Sequence, residues 1–142
     1  MHHHDTSLTI PAVGITILVF NTQGHVMLAK RLQEHGHGQH GAPGGGLGYG
    51  ETPPQAAHRK THEKAHIKIS TPQFLCLTNF IVNGHHYLDI AFTTITKDTP
   101  QNVQPDTHSP WEWHPTDQLP TPLFTPTESA LNSYKTGQMY NW

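Results

Sequence analysis

The sequence predicts an α/β sandwich built on a mixed β-sheet, and three observations carry that reading. Short apolar runs rich in β-branched residues, such as Pro11–Phe20, have the length and composition of strands. Two segments, opening at Thr52-Pro53-Pro54 and Thr125-Pro126-Thr127-Glu128, carry the chemistry of helix starts. Strands and helices interleave without an internal repeat, and helices in that order must cover the faces of a sheet.

Taken in order, Pro11–Phe20 (PAVGITILVF) is the first strand, Asn21–Gly24 a turn, and His25–Arg31 the returning partner of a hairpin. Leu32–Gly41 is rich in glycine and histidine and reads as a loop, continued by Pro43 and a glycine run. The Thr52 hydroxyl caps a helix, with prolines following where no N–H partner is required. That helix is expected to end near Ala65, and His66 stands where a terminating glycine is usual. Gln73–Ile81 and His85–Thr96 form a hairpin across Val82-Asn83-Gly84, since Asn-Gly favours the turn types that join antiparallel strands. Pro110–His114 is a further short strand, placing Trp111 and Trp113 on one face for burial and Glu112 on the other. Thr125 is expected to cap a closing helix running to about Lys135, with Glu128 completing a capping box.

A chain of 142 residues is large enough for one compact domain with a single core. Apolar content of 34% and charged content of 13% leave room for twelve glycines and twelve prolines, so many turns are expected. No apolar run approaches the ~20 residues that span a bilayer, and Ile10–Phe20 lacks the basic flank of a signal peptide. A cytoplasmic protein without membrane partners is therefore expected. The formal charge of −2 gives no reason to expect a nucleic-acid polymer as partner. Cys76 is alone in an apolar setting and reads as a buried thiol. The fourteen histidines, among them His2–His4 at the start, read as a solvated surface rather than a metal store.

The chemistry concentrates between Gly45 and Ile67 (GGLGYGETPPQAAHRKTHEKAHI). A glycine-rich loop entering a helix lets backbone approach a ligand closely, and a helix start favours anions. Residues 59, 60, 63 and 64 lie on one helical face. Carboxylates at that spacing would suit Mg²⁺ or Mn²⁺, hard cations that take oxygen ligands. Here the face carries Arg59, Lys60, Glu63 and Lys64.

Gly45, Glu51 and Arg59 fall on the frame G-x5-E-x7-R-E-U-x-E-E-x-G-U, in which U is a bulky apolar residue. With Arg31-Leu32, His35-Gly36-x-Gly38, Pro43-Gly44-Gly45-x-Leu47, Gly50-Glu51-Thr52, Asn102-Val103-x-Pro105, Trp111-Glu112-Trp113 and Leu119-Pro120, the chain resembles the Nudix hydrolases from Ile10 to about Tyr140. It is most similar to the MutT-like nucleoside triphosphate diphosphatases. The resemblance implies a Nudix-type α/β/α sandwich over residues 10–142, preceded by a tail at 1–9. It also implies a Mg²⁺ or Mn²⁺ cofactor, a nucleotide partner, and a homodimer by analogy.

Roles transfer position by position. The Gly45 carbonyl and Glu63 would be metal ligands. Glu51 and Arg59 would brace the loop against the helix that carries the catalytic Glu63. Leu123 and Phe124 stand where MutT-like relatives place apolar residues around the base. Lys60 and Lys64 replace glutamates of the pattern, Gly46 replaces a phosphate-contacting histidine, and Thr61 a bulky apolar residue. Over positions 60, 63 and 64, three carboxylates become a net charge of one positive, a swing of four. An ammonium about 4–5 Å from Mg²⁺ costs several kcal/mol even at an effective dielectric near 20. The lysines would instead meet phosphate directly, as point charges that cannot activate water as a metal does.

Two functions follow. One is hydrolysis of a nucleoside diphosphate-linked substrate, chiefly a (d)NTP to (d)NMP and pyrophosphate, weakened by Lys60 and Lys64. The other is a catalytically impaired module that binds nucleotide or a partner protein. A third reading is a histidine-rich metal-binding protein: His58, His62 and His66 share a helical stripe, and an i, i+4 pair beside Glu63 would be its Zn²⁺ site. His85, His86 and Asp89 offer further general-base candidates that the sequence does not position.

Overall fold

The computed structural model describes residues 10–142; the expected tail at 1–9, with His2–His4, lies outside the described residues. Strand β1 (Ala12–Phe20) lies in the middle of the sheet. It pairs antiparallel with β2 (Val26–Lys30) and parallel with β6 (His85–Ile95). Strand β5 (Gln73–Val82) runs antiparallel to β6, and β8 (Tyr140–Asn141) parallel to β5. Two-residue β3 (His40–Gly41) and three-residue β7 (Glu112–His114) add to β2, while β4 (Gly44–Gly46) adds to β1. The sheet is therefore mixed, as expected.

β1 reads as a continuous apolar run because it is buried on both faces. Alternate residues point to opposite sides. Ile15, Ile17 and Val19 join Met27 and Phe92 against Ala56, Ala57 and Ala65 of helix α1 (Pro53–Ala65). Leu18 and Phe20 join Val26, Leu28 and Cys76 against Ala130 and Leu131 of helix α2 (Thr125–Thr136). The result is a helix–sheet–helix sandwich with one core layer on each face.

The expected helix start at Thr52 forms a full capping box. The Thr52 hydroxyl accepts from the Gln55 N–H, and the Gln55 side chain accepts from the Thr52 N–H. His66 closes α1 in the left-handed conformation, φ 54°. Asn83 and Gly84 both have positive φ, 52° and 77°, which matches the hairpin turn expected there.

Three expectations are corrected. The cap of α2 is Phe124, not Thr125, which is already the first helical residue, and among the described residues no side chain caps this end. The Phe124 N–H is held by the His40 carbonyl, which fixes where the chain enters the helix. The strand expected at Pro110–His114 begins only at Glu112 and leaves Trp111 outside it. The glycine run, read as loop, pairs with β1 over Gly14–Thr16. Gly44 to Gly46 carry no side-chain signal of a strand, so only a long-range partner reveals it.

Candidate functional site

Arg59 organises the glycine loop. Its Nε and Nη2 each donate to Glu51 at 2.7 Å, Nη2 also reaches the Gly46 carbonyl at 3.2 Å, and Nη1 donates to Glu63 at 3.0 and 3.2 Å. The Gly48 N–H completes the set by donating to Glu51 at 2.7 Å. The Arg59 hydrogen bonds, and then the Gly48 N–H, hold the Glu51 carboxyl down to about 2. The same pairing pushes the Arg59 guanidinium above its ordinary value. One guanidinium thus ties the loop to the helix and occupies the carboxylate of Glu63.

Beside this brace opens a cavity of about 360 Å³. Gly45, Lys60 and Lys64 line it together, whereas Glu63 does not. Lys60 lies against Gly45: a Cβ built on that glycine would stand 2.5 Å from the lysine Cε and 2.8 Å from its Nζ. Its ammonium is 3.6 Å from Glu63 Oε1. Lys64 donates to Gln104 Oε1 at 3.1 Å, and its own carbonyl accepts from the Trp111 indole at 3.0 Å. Burial, then the nearby charges of Lys60 and Arg31, pushes the Lys64 ammonium below its usual value. Both lysines thus line the cavity, the Lys64 ammonium held at Gln104.

These residues do not fit a hard divalent cation. An ammonium lies over the glycine backbone, the single carboxylate of the helix face is taken up by Arg59, and the cavity carries Arg31 as a further positive charge. Among the described residues, no three His, Cys, Asp or Glu side chains come together as a metal would require. His62 and His66 instead stack on each other, ring centroids 4.8 Å apart.

Phe124 lines the cavity; Leu123 packs on the core layer beneath α2 and does not. The Arg31 guanidinium covers one face of Phe124 at 3.9 Å from the ring centroid and donates from Nε to the His35 carbonyl at 3.1 Å. The stacked rings of Phe80 and Tyr87, 5.2 Å apart, form another wall. Asp89, buried in the same wall system, is pushed up to about 6 by desolvation against a smaller opposing pull from Thr16. His85 and His86 lie outside the cavity lining, and His86 is engaged with Asn79.

Sequence reasoning gave no site role to Arg31 and left Asp89 unplaced. A signal for Asp89 existed, since it is the one charged residue inside the strand YLDIAF. Trp111 and Trp113 both pack against the core layer beneath α1, in keeping with the burial read for them. Cys76 is buried, and desolvation pushes its thiol up.

No helix among the described residues is long and apolar enough to cross a membrane. Comparison with known proteins adds the following. The profile of the NUDIX domain matches residues 10–134. The crystal structure of a MutT NUDIX hydrolase from Burkholderia pseudomallei superposes with a TM-score of 0.82 at 29% identity, covering 87% of this chain and 98% of that one. The NUDIX domain of Shewanella oneidensis NrtR, crystallised with ADP ribose, shares the fold, with a TM-score of 0.72 at 18% identity over 89% of this chain and 87% of that one. The isopentenyl-diphosphate Delta-isomerase of Pectobacterium atrosepticum is 30% identical over 121 residues, which cover 75% of this chain. The chain spans 63% of the length of that relative.

Proposed function

The chain belongs to the Nudix family, and from that membership we propose that it binds a nucleoside polyphosphate, a (d)NTP or a related nucleoside diphosphate-linked compound. In this reading Lys60 and Lys64, with Arg31 beside them, take the phosphates directly. Hydrolysis to (d)NMP and pyrophosphate is retained weakly or not at all. The observation that carries the reading is the Lys60 side chain lying over Gly45 in the cavity that Lys64 also lines. The family generally uses divalent metals on such substrates, but the charge of this site opposes one.

Comparison supports the ligand class. The NrtR domain was crystallised with ADP ribose and the isomerase is an isopentenyl-diphosphate isomerase; a diphosphate is common to both ligands. Ammonium groups suit such a ligand, as they neutralise phosphate and donate to its oxygens. They lack the ability of a bound metal to lower the pKa of an attacking water, so affinity outlasts turnover.

A second reading, an efficient pyrophosphohydrolase, is favoured by the intact brace of Glu51, Arg59 and Gly48, which holds the loop half of the site in order. Pyrophosphate release from a dNTP panel with Mg²⁺, Mn²⁺ or Zn²⁺, beside calorimetric binding in EDTA, separates the two. Binding that survives EDTA and weakens in Lys60→Ala or Lys64→Ala, with little release, supports the first. Metal-dependent release that disappears in Glu63→Gln supports the second.

A further inference from the structure

We propose that Asp89 selects the ring of the bound ligand, accepting hydrogen bonds from a ring edge with two adjacent N–H donors, as guanine presents at N1 and its 2-amino group. The proposal rests on the nucleotide reading above and adds which base is taken.

One oxygen of the carboxyl is buried at the cavity and left without a partner. Asp89 has a relative exposure of 5%, and among the described residues its Oδ2 has no hydrogen-bond partner. None of the salt bridges among the described residues involves it. Room for the carboxyl depends on Gly14, its parallel neighbour on β1, because a Cβ there would stand 2.8 Å from Oδ1. Gly14 and Asp89 both line the cavity, together with the aromatic rings of Phe80, Tyr87 and Phe124, which offer apolar surface to a planar ring.

The chemistry of the partner follows from what a carboxylate lacks. It accepts and cannot donate, so it favours an edge made of donors and repels a ring-nitrogen lone pair or a carbonyl. Leaving one of its oxygens buried and unpaired is costly, and an N–H edge supplied by a ligand removes that cost. A free metal ion is a poor alternative, since Arg31, Lys60 and Lys64 already line this cavity with positive charge. Guanine places N–H donors side by side, whereas adenine offers one amino donor beside a lone pair and uracil one N–H between two carbonyls. Hypoxanthine keeps the ring N–H and lacks the amino group.

Calorimetry of the full chain in EDTA at pH 8 tests this with GTP, ITP, ATP, CTP, UTP and inorganic triphosphate. GTP is expected to bind on the order of 10- to 100-fold more tightly than ATP or UTP, with ITP between them. Asp89→Asn, which offers one donor and one acceptor, is expected to erase the difference between GTP and ATP while keeping inorganic triphosphate binding. Equal affinity for the five nucleotides, or a GTP preference that persists in Asp89→Asn, overturns the role of Asp89 and leaves the phosphate site standing. Failure of every polyphosphate to bind overturns the nucleotide reading, and this inference with it. If Asp89→Asn does not fold, the GTP, ITP and ATP series on the natural chain still decides the matter.

Discussion

Lys60 lies across the backbone of Gly45, with its Cε and Nζ 2.5 and 2.8 Å from where a Cβ on that glycine would be. In the family pattern position 60 carries a glutamate facing a dication. Here the same geometry presents a cation to whatever occupies the cavity, and the consequences can be measured.

Restoring both carboxylates, Lys60→Glu with Lys64→Glu, removes two positive charges and adds two negative ones beside the glycine loop. Several kcal/mol of repulsion toward a dication then become attraction, so Mg²⁺-dependent pyrophosphate release should rise by about two orders of magnitude or more. An unchanged rate in a steady-state assay would show that these positions do not control metal entry.

Asp89 gives a stability signature that does not depend on ligand. Its folded-state pKa of about 6 lies above the ordinary 3.8. The folded chain therefore holds this proton longer than the unfolded one. The contribution is fully present below 3.8 and is lost as pH rises through 6, amounting to about 3 kcal/mol. Urea unfolding of the natural chain should show that decline between roughly pH 4 and 7, and Asp89→Asn should lack it. Parallel pH profiles for the two chains would contradict the burial assigned to this carboxyl.

Glu51 acts in the opposite sense. Arg59 and the Gly48 N–H hold its carboxyl at about 2, below the ordinary 4.5. Its contribution is present above 4.5 and disappears as pH falls toward 2. Acid unfolding of Glu51→Gln, followed by circular dichroism, should be less steep over that window than that of the natural chain. Identical acid limbs would mean that the brace does not persist in solution.

His66 ends α1 with φ 54°, a conformation that costs an ordinary L-residue roughly 1–2 kcal/mol. Glycine avoids that strain but carries more chain entropy when unfolded, so His66→Gly should stabilise by a net of about 0.5–1 kcal/mol. The stacking of His66 on His62 at 4.8 Å is lost in the same change. A fall in Tm on thermal unfolding would show that the stack outweighs the strain.

Gly14 to Asp89 is a spatial rather than a sequential relationship. Gly14→Ala would drive a methyl group to 2.8 Å from the Asp89 carboxyl inside the cavity. Nucleotide affinity is expected to fall at least about tenfold, because a packed wall yields little. Undiminished binding in calorimetry would place the ligand elsewhere.

What the sequence determined by itself was whatever its neighbours along the chain enforce: the capped start of α1 at Thr52, its left-handed end at His66, the Asn83-Gly84 hairpin, the frame of Gly45, Glu51 and Arg59, and the replacement of glutamates by lysines. Caps, turns and helical faces are set over a few residues, so residue type and spacing suffice. The tertiary structure decided the rest. It put Phe124 rather than Thr125 at the cap of α2, because the distant His40 carbonyl holds the Phe124 N–H. It made a strand of three glycines through pairing with β1, and sent Leu123 to the core while Phe124 faced the cavity. It also brought Asp89, Arg31 and the lysines to one cavity. Those residues are far apart in the chain, and only the pairing of β1 with β6 and the seating of α1 on the sheet make them neighbours.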